Sequence, residues 1–156
     1  MTAASLRRAI PPDTLLILDT SVLLSYLNGT DRIAPATTIV VDELVATGIN
    51  RAAVSTISVT ESLVRPFKVD PAAVRVVETF LRHFANLEIV EVDYDVARAA
   101  AEVRATTGLK TPDATVLATA LLRGGLIVAN DGRWQTAVTT IGRGLKLVHL
   151  DAFLPL

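Results

Sequence analysis

The sequence contains no cysteine, which excludes disulfides, thiolate zinc sites and cysteine nucleophiles. It also lacks any apolar run of the ~20 residues that a membrane-spanning helix requires, because charges interrupt every hydrophobic stretch first. The opening segment MTAASLRRAIPPDT has an arginine pair with no apolar stretch behind it, so it does not read as a signal peptide. A cytoplasmic protein that meets no membrane is the expectation. Positive charge is not in excess either: 15 Lys and Arg face 16 Asp and Glu, and the net charge of −1 gives no global footprint for nucleic acid. Internal repeats, low-complexity tracts and a second composition zone are absent as well.

What is present is apolar bulk: 51% of the 156 residues are hydrophobic and the mean hydropathy is +0.46. A chain of this length makes one domain with one core. Such hydrophobicity without a membrane span suits a parallel sheet covered on both faces, whose strands are apolar on both sides. Residues 1–13, ending in Ile10-Pro11-Pro12-Asp13, read as an arm, flexible or docked; 14–156 form the domain.

Leu15–Leu18 reads as a buried strand, followed by a helix from the Asp19-Thr20-Ser21 turn to Asn28-Gly29. A second helix is expected over Pro35–Ala46, a strand at Ala52–Ser55, and a short helix over Ser58–Arg65 that Pro66 stops. Pro71–Phe84 has helical spacing and Leu87–Val92 alternates as a strand. Asp93 caps a helix to about Thr106, and Thr111 is expected to cap another, with Pro112 at its first position, reaching Leu122. Leu126–Ala129 is a strand, Trp134–Ile141 a helix and Leu145–Val148 the last strand. Strands alternating with helices predict an α/β fold, a three-layer α/β/α sandwich around a parallel sheet.

In such sheets ligands gather beyond the carboxyl ends of the strands. Asp19 and Asp131 each follow an apolar strand and should share that edge. Glu61 and Asp113 sit near the starts of helices on the same side, where topology makes convergence plausible. Each acid has a plainer explanation. Asp19 caps the next helix, Ser58 and Glu61 match a capping box, Asp113 complements a helix dipole, and Asp131 before Gly132 suits an Asx turn. Together they offer hard oxygen ligands suited to Mg²⁺ or Mn²⁺ and to phosphoryl transfer, and without a cation their repulsion should raise at least one carboxylate pKa.

The arrangement resembles the PIN domains and, within them, the VapC toxins of bacterial and archaeal toxin-antitoxin modules. Leu16-Ile17-Leu18-Asp19-Thr20-Ser21-Val22 is similar to the family's first motif and Ser55–Ser62, with Glu61, to its second. Lys110-Thr111-Pro112-Asp113-Ala114 and Ala129-Asn130-Asp131 are similar to the third and fourth. The resemblance implies a sheet of five parallel strands and a Mg²⁺-dependent endoribonuclease, with Mn²⁺ a possible substitute. It implies RNA cleavage that leaves a 5′-phosphate and a 3′-hydroxyl, inhibition by a cognate antitoxin, and a homodimer. On that model Asp19, Glu61 and Asp113 hold the metal and Asp131 ligates through water or helps a second ion. Thr20, Ser21 and Asn130 are candidates to brace the carboxylates, and Lys110 and Arg133 to meet RNA phosphates. The arm is longer than usual for the family, and Trp134 stands where many relatives have phenylalanine; packing is the expected role for that indole.

Other readings are separable. A haloacid-dehalogenase-type phosphatase would want an acid at Ser21, and a phospho-receiver domain an acidic pair near the start. A PIN-like binding or scaffold module with a catalytically weak site is the remaining alternative.

Overall fold

The computed structural model describes residues 3–155. Helix α1 (Ala3–Ala9) precedes strand β1 (Leu16–Leu18) and α2 (Thr20–Asn28). Then α3 (Ala34–Thr38) runs into a π-helical segment (Ile39–Val45). Strand β2 (Ala52–Ser55), α4 (Thr56–Val69), α5 (Pro71–His83) and β3 (Leu87–Val90) follow. The chain closes with α6 (Tyr94–Thr107), α7 (Thr111–Arg123), β4 (Leu126–Ala129), α8 (Arg133–Ile141), β5 (Lys146–His149) and a 3₁₀ turn (Leu150–Phe153).

The five strands form one parallel sheet in the order β3-β2-β1-β4-β5. The three central strands are short and fully buried, so their alternating side chains feed two separate cores. Leu16, Leu18, Ala52, Val54, Leu126 and Val128 face one side, with Leu6, Val22, Val40 and Leu44. Ile17, Ala53, Ile127 and Ala129 face the other, with Val103, Leu117 and Trp134. This is the three-layer sandwich expected for a sheet that is apolar on both faces. Register matters here: Leu16, Ile17 and Leu18 pair with Leu126, Ile127 and Val128, and a one-residue slip would send each side chain to the wrong layer. Gly125 lets β4 start close to β1, since a Cβ there would sit 2.5 Å from Ile17 Cγ1.

The amino-terminal segment is docked. Leu6 and Ile10 are fully buried in the first core, Arg7 Nε donates to Glu43 on the π-helical segment at 2.8 Å, and Asn50 Nδ2 donates to the carbonyls of Pro11 and Thr14. Burying a leucine is worth roughly 1.5–3 kcal/mol and is one of several contacts that hold a seven-residue helix that could not persist alone.

Local differences from the sequence reading have identifiable causes. The helix expected over Pro35–Ala46 changes pitch at Ile39, where its hydrogen bonds lengthen to i→i+5, as in Ala46 N–H to Val41 O. The helix expected from Ser58 starts two residues earlier, because the Ser55 hydroxyl caps Ile57 N–H, and it runs through Pro66 to Val69. Proline removes one donor there, and the last turn survives through Asp70 N–H to Pro66 O. Glu61 therefore lies in the second turn, and Ser58 caps nothing. At α7 the capping position is Lys110; Thr111 is the first helical residue, its hydroxyl accepting from Arg104, and Pro112 the second.

Candidate metal centre

The chain passes from β1 outward through β2 to β3, then returns to β4 on the opposite side of β1. The direction of winding thus reverses between β1 and β4, and such a switch point opens a crevice beyond the strand ends. Asp19 follows β1 directly and Asp131 lies two residues beyond β4, on parallel neighbours, so both border that crevice.

Asp19 is the most enclosed of the four acids, with 6% of its surface exposed. Its backbone N–H donates to Val128 O at 3.0 Å, extending the β1–β4 ladder by one bond. Its carboxylate caps α2, Oδ2 accepting from Ser21 N–H at 3.2 Å and from the Ser21 hydroxyl at 2.6 Å. Burial nevertheless wins over these bonds and pushes its pKa up, with the Asp113 charge adding to the rise. Asp113, in the first turn of α7, is also raised. Burial is again the main cause; Arg133 opposes it, and the charges of Asp131 and Glu61 reinforce it. Desolvation, more than mutual repulsion, is what perturbs this cluster.

Glu61 is held from the side. Thr20 donates its hydroxyl to Glu61 Oε2 at 2.6 Å, and the same hydroxyl lies 3.0 Å from the buried Ser58 hydroxyl. The sequence reading gave Ser58 only a capping role, although its position three residues before Glu61 puts both on one face of α4. Thr20 and Ser21 thus each donate a hydroxyl to one of the acids. Asn130 is engaged elsewhere, its Oδ1 accepting Asp151 N–H at 2.9 Å and tying the end of β4 to the 3₁₀ turn.

Asp131 is held by Arg133. The Arg133 backbone N–H and Nε donate to Asp131 Oδ1 at 2.9 and 3.0 Å, and Nε and Nη2 both reach Oδ2. Nη2 also lies 3.7 Å from Asp113 Oδ2. The guanidinium accordingly pulls the Asp131 pKa down, first through the side-chain bond, against the opposing effect of burial. His149, at the end of β5, keeps Nε2 buried and without a hydrogen-bond partner. Lys110, which is exposed, contributes a lowering influence at Asp113. Trp134 is completely buried in the second core, as packing required.

The donor set is wholly oxygen, the chemistry of Mg²⁺ and Mn²⁺. Burial raises the pKa of two of its carboxylates, and a divalent ion would favour their charged forms. Among the described residues no group of three His, Cys, Asp or Glu side chains lies close enough together to hold a metal ion.

An α/β sandwich with acids around its switch point defines a class of carboxylate-edged domains. The chain belongs to the PIN domain family, whose model matches residues 16–139. No curated protein matches it at a significant level. Among solved structures it is similar to a toxin-antitoxin complex from Klebsiella pneumoniae, at TM-score 0.64 and 22% identity, covering 88% of this chain and 98% of that one. VapBC2 from Rickettsia felis, bound to a DNA fragment from its promoter, is similar at 0.64 and 18%, covering 86% and 98%. VapC20 of Mycobacterium tuberculosis, a toxin that cleaves the sarcin-ricin loop, is similar at 0.64 and 19%, covering 80% and 95%. These likenesses establish the shared five-stranded fold.

Proposed function

We propose that the protein is a Mg²⁺-dependent endoribonuclease acting as the toxin of a toxin-antitoxin module, with a cognate antitoxin protein and a second copy of itself as partners. The observation that carries the reading is the pairing of Asp19 and Asp113. Asp19 is buried and Asp113 half-buried; both have raised pKa and lie within electrostatic reach of each other at the crevice beyond β1 and β4. Family membership and the toxins among the structural relatives support it. No helix among the described residues is long and apolar enough to cross a membrane, which agrees with an action on cytoplasmic RNA.

On this reading Asp19, Glu61 and Asp113 hold the ion, and Asp131 reaches it through water. A bound Mg²⁺ would activate a water and offset charge on the phosphate oxygens. The Ser21 and Thr20 hydroxyls keep Asp19 and Glu61 in fixed orientations, so little reorganisation is left for the reacting complex. Water oxygen bonds to phosphorus, the bond to the 3′ oxygen breaks, and that oxygen takes up a proton, leaving a 5′-phosphate and a 3′-hydroxyl. Lys110 and Arg133 flank the acids and would meet the RNA backbone.

The test incubates purified protein with RNA and Mg²⁺ or Mn²⁺, beside EDTA and Asp19→Ala controls. Metal-dependent cleavage that the variant loses supports catalysis, and equal cleavage by both proteins refutes it. Toxicity on expression, rescued by the product of a small adjacent gene, tests the toxin role. The engagement of Asp131 by Arg133 favours one second reading, a binding module with a weak site, for which RNA would be bound and left intact.

A further inference from the structure

Arg133 places a cation against two acids of the cluster, Asp131 and Asp113. Its guanidinium contacts both oxygens of Asp131 and approaches Asp113 to 3.7 Å. Asp131 would otherwise present its charge to Asp113, whose pKa it raises. The pair is local, since Arg133 lies only two residues from Asp131 in the turn that opens α8, and this proximity makes it inexpensive to form. It is also easily broken, because more than half of the arginine side chain is exposed. On its other side the same residue lines a surface groove of about 340 Å³ with Thr106, Thr107, Thr136 and Thr140. The guanidinium therefore has two environments within reach of one backbone position: carboxylates on one side, and an open groove lined by threonines together with Leu109 and Ala137 on the other.

We propose that Arg133 is a built-in competitor of the divalent ion, pairing with Asp131 and Asp113 in the metal-free protein and turning to the threonine-lined groove when the ion binds. This rests on the metal-centre reading above and adds to it a determinant of metal affinity. Two cations cannot both sit against the same carboxylates without repulsion, so the ion must displace the guanidinium or bind without Asp131. Displacement couples the two events. Once released, a planar guanidinium beside the groove is in position for a phosphate oxygen of an RNA strand lying there.

The experiment measures Mn²⁺ affinity by calorimetry for the wild type, Arg133→Gln and Arg133→Lys, in EDTA-stripped protein without RNA. The glutamine variant is expected to bind Mn²⁺ about two- to fivefold more tightly, the range a partly exposed ion pair supports, and the lysine variant to stay near wild type because it keeps the charge. In ¹H–¹⁵N spectra the Arg133 Nε–H signal, identified by its loss in Arg133→Gln, should move toward that of a solvated arginine as Mg²⁺ saturates the wild type. Equal Mn²⁺ affinity in wild type and Arg133→Gln, or an Nε–H signal that stays in place at saturating Mg²⁺, would overturn the inference while leaving the metal centre standing. Absence of Mn²⁺ uptake by every protein would overturn both.

Discussion

Replacing Asp19 with asparagine should stabilise the protein in EDTA while removing its response to metal. The carboxylate is buried at the end of β1, and its pKa lies above the ordinary range because desolvation outweighs the two bonds from Ser21. Asparagine keeps an oxygen that accepts both bonds, so the cap on α2 survives and only the buried charge is lost. The favourable interaction of that charge with the helix N-terminus, about 0.3–1 kcal/mol, is lost too. The raised pKa means that burial is the larger effect. A net gain of about 1 kcal/mol is expected, as for other relieved functional sites, or about 2–4 °C in Tm for a domain of this size. The sign with pH follows from the same shift. A carboxylate with a raised folded-state pKa costs nothing where both states are protonated. Its penalty appears as pH rises past the unfolded value of about 3.9 and is complete above the folded one. The Tm difference between variant and wild type should therefore be smaller near about pH 4.5 than near about pH 7.5. With Mg²⁺ at about a hundred times its Kd the wild type should gain about 2.7 kcal/mol and the variant almost nothing. Differential scanning calorimetry across pH, with and without metal, reads both effects. A variant less stable than wild type in EDTA at neutral pH, or one that gains as much from Mg²⁺, would refute the reasoning.

Thr20→Val removes the hydroxyl that steers Glu61 and should lower RNA cleavage about tenfold, at a stability cost of about 1 kcal/mol, whereas Thr20→Ser should recover most of the rate. A rate unchanged in the valine variant would show that Glu61 needs no steering. Leu6→Ala should cost about 2–5 kcal/mol, seen as a lower urea midpoint, because the side chain is fully buried in the first core. An unchanged midpoint would mean that α1 is dispensable to the fold.

The layers and the strands were legible because hydrophobic runs flanked by turn residues leave few alternatives. Leu16–Leu18, Ala52–Ser55 and Leu126–Ala129 occur where the apolar runs place them. Capping was legible at Asp19 and Asp93, where an aspartate stands between a strand and the helix that follows it. It was misread at α4, where two serines three residues apart compete and the strand-end Ser55 prevails. The π-helical pitch after Ile39 left no trace in composition, and docking of α1 depended on tertiary partners such as Glu43 and Asn50 that lie far along the chain. In the site, the strand-end positions of Asp19 and Asp131 followed from topology. The Thr20–Ser58–Glu61 contact required α2 and α4 to meet, and the grip of Arg133 on Asp131 depended on rotamers that spacing does not specify.

The bond from Asp19 N–H to Val128 O makes one peptide unit serve two purposes. It closes the ladder between the two strands at the switch point, and it sets the height of the most enclosed carboxylate above the sheet. A chain that folds with β1 and β4 out of step by a residue would bury a leucine's neighbour in the wrong layer and misplace that acid together. Errors in assembly are thereby silent in chemistry: a misregistered molecule carries no working edge. For a protein whose proposed activity would harm the cell that makes it, the sheet itself then acts as the safeguard, arming the acids only after the strands have found their partners.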